Sequence, residues 1–295
     1  SGLSSGGFMA VQLHVTYSSI INGSAVFAGG PYYCARGNLI YAEEQCMYTF
    51  MGTPSITSLL QTTTKYENQG LIDKTANLKD DPVYLYSGAD DTVVDPKVMQ
   101  SLETYYQNFV DIQKLVADYA VPSQHCWPTV SYGSACAQLK SPYIGKCGFD
   151  GAGNALTTLY GSLKSGVTAV KANLLSFSQT SYISGTKTSL ADTGYIYVPT
   201  ACQSGTTCSL HVVLHGCEQT EDDIGTVFVE NIGMNEYAEA NNIIMLYPFA
   251  KRSYSAPSNP NGCWDWWGYT DANYANNKGV QMKFIRSLIT AVSGK

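Results

Sequence analysis

The first seven residues, Ser1-Gly2-Leu3-Ser4-Ser5-Gly6-Gly7, spell G-x-S-x-G and run into apolar positions on helical spacing, Phe8, Met9, Leu13 and Tyr17. A chain that turns from strand to helix around one exposed serine needs small neighbours, and Gly2 and Gly6 supply them. Only Ser4 is in register, because centring the pattern on Ser5 would put Leu3 where the first glycine belongs. With 27 glycines in the chain a chance match is common, and the meaning of the pattern depends on partners elsewhere.

A serine nucleophile needs a base, and the base needs an acid that fixes its tautomer and stabilises its charged form. Gly88-Ala89-Asp90-Asp91-Thr92-Val93-Val94 puts an acidic loop directly after the apolar run Val83–Tyr86. The phasing G-x-x-D-x-x-V selects Asp91 over Asp90, although adjacent loop aspartates are usually just solvated. With only four histidines, the base follows by elimination. His14 falls inside the elbow helix and His211 inside an apolar strand, while His215 belongs to a strand-end motif. His125 remains, in Pro122-Ser123-Gln124-His125-Cys126-Trp127-Pro128, after a strand at about 115–120 and before an expected helix. Ser4, Asp91 and His125 stand in the chain order of α/β-hydrolase triads.

Leu210-His211-Val212-Val213-Leu214-His215-Gly216-Cys217 is an apolar strand ending in His-Gly. Such a strand and its loop supply the second donor of an oxyanion hole. Ser5 N–H is then the first donor and Cys217 N–H the second. In the usual order this strand precedes the nucleophile, whereas here it follows it. The expected explanation is a circular permutation, with the last helix handing over in space to the strand before Gly2. That central strand is missing from the sequence as read, so upstream residues carrying it and a secretion signal are expected.

The rest of the chain alternates strand-like and helix-like segments, including Ala25-Val26-Phe27-Ala28, a helix from about Pro96, Ile243–Tyr247 and a helix over 280–292. Segments 174–177 and 195–198 read as an edge hairpin. The expected fold is α/β: a circularly permuted α/β-hydrolase with a mostly parallel central sheet flanked by helices, one domain over residues 1–295.

Charged residues make up 14% of the chain and its net charge is −6 without a Lys/Arg cluster, which argues against nucleic acid or an anionic membrane as partner. Nine cysteines, no C-x-x-C and four histidines favour disulfides and an oxidising compartment over a metal site. Cys34/Cys46, Cys136/Cys147 and Cys202/Cys208 would each close a short loop. Cys217 is then paired with Cys263, leaving Cys126 as the free thiol. A Cys217–Cys263 bridge would tie the oxyanion loop to Gly262-Cys263-Trp264-Asp265-Trp266-Trp267, either a core wedge or an aromatic wall beside the serine. Asn22-Gly23-Ser24 is a glycosylation sequon, relevant only where a eukaryote secretes the chain.

Taken together, residues 1–10 (SGLSSGGFMA), 26–31 (VFAGGP), 141–153 (SPYIGKCGFDGAG), 210–217 (LHVVLHGC) and 258–266 (SNPNGCWDW) resemble the extracellular poly(3-hydroxybutyrate) depolymerases, especially the fungal single-domain, circularly permuted type. The resemblance implies Ser4 as nucleophile, Asp91 as orienting acid, His125 as general base, Ser5 and Cys217 as oxyanion donors, and Trp266 lining the cleft. It further implies a secreted, monomeric esterase acting on an insoluble or oligomeric aliphatic polyester without metal or organic cofactor. The 22 tyrosines would suit an adsorbing surface, though tyrosines also fill cores. Two alternatives stand beside this reading. One is a feruloyl or acetylxylan-type esterase on the same scaffold, and the other is a catalytically dead secreted binding protein.

Overall fold

The computed structural model describes residues 1–294. Strand β1 (Gly2–Leu3) leads into helix α1 (Ser5–Thr16), followed by β2 (Ser24–Phe27), α2 (Leu39–Cys46), α3 (Ile56–Asn68) and β3 (Val83–Tyr86). Helix α4 (Pro96–Tyr106) and β4 (Leu115–Asp118) complete a parallel sheet in the order β1-β2-β3-β4. Three short strands, β5 (Trp127–Thr129), β6 (Ser134–Ala135) and β7 (Ile144–Lys146), form a separate parallel sheet before α5 (Gly151–Tyr160). The second half comprises β8 (Leu174–Ser178), β9 (Thr193–Tyr197), β10 (Ser209–Val212), α6 (Glu221–Ile224), α7 (Val227–Asn231), α8 (Met234–Asn241), β11 (Ile243–Tyr247) and α9 (Val280–Ser293). Its strands are ordered β10-β11-β9-β8, with β10 and β11 parallel and β9 antiparallel to both its neighbours.

The two four-stranded sheets meet at β1. Gly2 pairs in parallel with Leu214, Leu3 N–H donates to Leu214 O at 3.1 Å, and Leu214 N–H donates to Ser1 O at 2.9 Å. On its other side Gly2 pairs with Val26 and Leu3 with Phe27. Gly2–Leu3 therefore lies at the centre of the combined sheet, in the strand position directly before the elbow.

Both faces of this sheet are covered, which is why its strands read as near-continuous apolar runs. The period of two along a strand divides them cleanly. Ala25, Phe27, Tyr84 and Tyr86 pack into a core with α5 and α8 residues such as Ala155, Leu156 and Ala238. Val26, Val83 and Leu85 face the other way, onto Val11, Val15, Leu59, Met99 and Leu102 of α1, α3 and α4. Helix α9 buries Met282, Ile285 and Leu288 against Met9 and Leu13 of α1 and Leu214 and Leu246 of the sheet.

The edge pair at 174–178 and 193–197 is antiparallel, as its sequence suggests. The segment after His125 differs from expectation. It enters strand β5 rather than a helix, because Trp127 is fully buried against Phe27 and its N–H donates to Tyr143 O, an element 16 residues on. Local periodicity carries no trace of that pairing.

Candidate active site

At the elbow the chain reverses within one residue. Ser4 sits at φ 56°, ψ −122°, between the end of β1 and the start of α1. Its N–H donates to Phe27 O at 2.9 Å and its carbonyl accepts from Phe8 N–H at 3.0 Å. Gly2 and Gly6 are required by space. A Cβ on Gly2 would stand 2.1 Å from Gly6 O, and one on Gly6 would stand 2.3 Å from Leu214 O.

The acid and base loops extend β3 and β4 beyond the sheet and remain bonded to each other. Ala89 N–H donates to Val121 O at 2.8 Å, Asp90 N–H to Ser123 O at 3.2 Å, and the hydroxyls of Tyr86 and Ser123 lie 2.7 Å apart. This ladder brings Asp91 and His125 together with 2.8 Å between Asp91 Oδ2 and His125 Nδ1. The other carboxylate oxygen, Oδ1, accepts from Val93 N–H at 2.8 Å and Val94 N–H at 2.9 Å. The carboxylate is thus locked from both ends and buried, whereas Asp90 is exposed. With Nδ1 committed to Asp91, Nε2 is the ring nitrogen left for a reacting group.

Ser4 and His125 line one cleft of about 580 Å³, together with Leu39, Tyr143, Cys217 and Trp266. Ser5 opens α1, and the first N–H groups of a helix have no partner within it. Cys217 N–H donates to no group among the described residues. Trp266 stacks on Phe8 with 4.1 Å between ring centroids and meets Trp267 edge-on, so it serves as core on one side and cleft wall on the other.

Four disulfides join Cys34–Cys46, Cys136–Cys147, Cys202–Cys208 and Cys217–Cys263; the first three close short loops, and the fourth ties the loop after β10 to the Trp-rich segment. Cys126 carries the free thiol, buried beside His125, and burial together with the Asp91 charge pushes it up to about 12. Among the described residues no group of three His, Cys, Asp or Glu is placed to hold a metal, and no helix is long and apolar enough to cross a membrane.

The histidines set aside from the sequence have structural partners. His14 is bonded to Tyr106 and Asp81, and His211 to Ser1 and Tyr160. His215 is fully buried, and burial lowers it to about 4.

Two groups escaped sequence reasoning. Asp265, raised to about 6 by burial, accepts from the N–H groups of Gly268, Tyr269 and Thr270 and from the Thr270 hydroxyl, and so shapes the turn that follows Trp266 and Trp267. Gln219, fully buried, accepts from Gly216 N–H at 2.7 Å and donates to Pro142 O at 2.8 Å. Nothing local signals the second bond, which spans 77 positions.

No family model matches the chain. It is 46% identical over 99% of its length to a poly(3-hydroxybutyrate) depolymerase of Delftia acidovorans, of which it spans 59%. It is also 43% identical, over 97% of its length, to a polyhydroxybutyrate depolymerase of Talaromyces funiculosus, of which it spans 86%. Two solved structures share its fold. A PHB depolymerase with a serine-to-alanine substitution, complexed with R3HB trimer, matches 99% of this chain and 94% of its own at 41% identity and a TM-score of 0.91. The PHB depolymerase from Penicillium funiculosum matches 98% and 93% at 41% identity and a TM-score of 0.90. Similarity of this extent, over nearly the whole chain, means that the chain belongs to the poly(3-hydroxybutyrate) depolymerase family.

Proposed function

We propose that the chain is a serine esterase that hydrolyses the ester bonds of poly(3-hydroxybutyrate) and related short-chain polyesters. The observation that carries this reading is the 2.8 Å Asp91–His125 bond, placed in the same cleft as a serine at a strained elbow. His125 Nε2 takes the Ser4 hydroxyl proton as Oγ attacks the ester carbonyl carbon. The carbonyl oxygen becomes an oxyanion held by Ser5 N–H and Cys217 N–H. His125⁺, stabilised by Asp91, then protonates the departing alkoxide, leaving the acyl group on Ser4. Water loses a proton to His125, attacks the acyl carbon, and the acid is released as Ser4 recovers its proton. Trp266 borders the acyl chain.

A solid polymer must also be reached. Leu39, Ile40, Phe50 and Met51 are each more than half exposed. They sit on α2 and the loop after it, the element that brings Leu39, Met47 and Tyr48 to the cleft rim. Exposed apolar side chains beside the cleft fit adsorption to a polyester film.

The four disulfides support a secreted enzyme, and we read the chain as a monomeric, single catalytic domain. The order Ser4, Asp91, His125, then the β10 strand that abuts β1 in space, is read as a circular permutation of the α/β-hydrolase order.

The test is product release from a poly(3-hydroxybutyrate) film by the wild type and Ser4→Ala. Release by the wild type alone is expected. Cleavage of soluble short esters without film release would move the assignment to a small-substrate esterase, and no reaction with either substrate or with a serine-directed phosphonate would indicate a dead scaffold.

A further inference from the structure

The loop after β10 is held by more than its disulfide. Gly216 has both of its backbone polar groups taken by buried side chains. Its N–H donates to Gln219 Oε1 at 2.7 Å, and its carbonyl oxygen lies 2.7 Å from His215 Nδ1. The tautomer of His215 follows from its other contact. Ala250 N–H donates to Nε2 at 3.1 Å, so Nε2 is the acceptor and the proton sits on Nδ1, where it is donated to Gly216 O. The ring itself is fixed by Phe249, stacked at 4.8 Å, and by Trp264 at 5.4 Å. Gln219 is anchored in turn through Nε2 to Pro142 O at 2.8 Å.

In a trans peptide, C=O and N–H point in opposite directions in one plane. The bond from His215 to Gly216 O therefore turns Cys217 N–H away from the imidazole. Gly216 lies directly against the nucleophile, since a Cβ on it would be 3.2 Å from Ser4 Cβ. The neighbouring atoms are also tied down: Glu218 N–H donates to Asn261 O at 2.7 Å, and Cys217 Sγ is bonded to Cys263. Cys217 N–H has no partner among the described residues, and Cys217 lines the cleft.

We infer that His215 and Gln219 are positioning residues, a two-sided clamp on Gly216 that holds the Gly216–Cys217 peptide plane so that Cys217 N–H stays aimed at the oxyanion. This rests on the esterase reading above. An oxyanion donor is effective when it needs no reorganisation as charge develops, and a buried clamp on both faces of the preceding residue supplies that. Both side chains are buried and spend their polar atoms on backbone groups, so they act through Gly216.

The experiment compares Gln219→Leu, Gln219→Glu, His215→Phe and His215→Asn with the wild type and Ser4→Ala on a soluble butyrate ester, alongside inhibition by an alkyl boronic acid that forms a tetrahedral adduct on serine. Gln219→Leu and His215→Phe are expected to lose about 10²-fold in kcat with KM changed less than about threefold, because only the transition state needs the donor in place. Boronate affinity should weaken in step with kcat. Gln219→Glu keeps an acceptor for Gly216 N–H, and His215→Asn keeps a donor near the position of Nδ1. Both are expected to recover at least about tenfold over their partner variants. These two conservative variants also keep the clamp testable if the apolar ones fail to fold.

Folded Gln219→Leu with wild-type kcat would overturn the clamp, as would a fall in kcat with boronate affinity unchanged. Ser4→Ala with undiminished turnover would instead overturn the esterase reading itself. Loss in Ser4→Ala without loss in the clamp variants would leave that reading standing and remove only the clamp.

Discussion

Asp91 Oδ2 stands 2.8 Å from His125 Nδ1, while Asp91 Oδ1 is occupied by the N–H groups of Val93 and Val94. The carboxylate has one orientation, and its acceptor face is turned to the imidazole. That asymmetry makes Asp91→Asn an informative substitution. The amide oxygen must take the place of Oδ1 to accept the two backbone N–H groups, which leaves the NH₂ facing His125. The imidazole must then accept at Nδ1 and carry its proton on Nε2, the wrong tautomer for a base. A fall in kcat of about 10⁴ is expected on a soluble ester, with circular dichroism unchanged. Activity within tenfold of the wild type would show that the pair does not set the tautomer.

Ser4 holds φ 56° and ψ −122°, a conformation disfavoured for any residue with a Cβ. Strain of this kind costs about 1–3 kcal/mol, against about 0.5–1 kcal/mol for the extra chain entropy of glycine. Ser4→Gly is therefore expected to be inactive yet more stable than Ser4→Ala by about 1 kcal/mol, read from urea unfolding midpoints. Equal midpoints would mean that the elbow stores no strain.

His215 ties stability to pH. Burial lowers it to about 4, against an ordinary value of 6.5. Between these values the unfolded chain binds a proton that the folded chain refuses, so stability falls as pH drops through this window. The full difference is on the order of 3 kcal/mol. Thermal midpoints across that range should decline less steeply in His215→Asn than in the wild type. Parallel declines would assign the acid sensitivity to other groups.

Cys126 is buried, and its thiol is pushed up to about 12, so the reactive thiolate is scarce at neutral pH. A disulfide reagent should find no reactive thiol in the native protein at pH about 8 and one per chain after unfolding in denaturant without reductant. Rapid labelling of the native protein, with or without loss of activity, would contradict this environment.

The features legible in the sequence are those that local sterics and periodicity encode. Two glycines around Ser4 announce a turn that has no room for a Cβ, and Gly2 and Gly6 meet backbone at 2.1 and 2.3 Å. Apolar runs at Val83–Tyr86 and Ile243–Tyr247 declare strands covered on both faces. Asp91, at the end of one such run, and His125, by elimination, point to a pairing whose distance the sequence leaves open. The tertiary structure decided what depends on distant segments. Gly2–Leu3 takes a central place in the sheet because it is bonded to β2 on one side and to Leu214 on the other. Residues after His125 form strand rather than helix because Tyr143 offers a backbone acceptor. Gln219 reaches Gly216 and Pro142 at once only when chain positions 77 apart are packed together. No window of sequence contains both partners of such a bond, and a buried amide reveals its purpose only through what it touches.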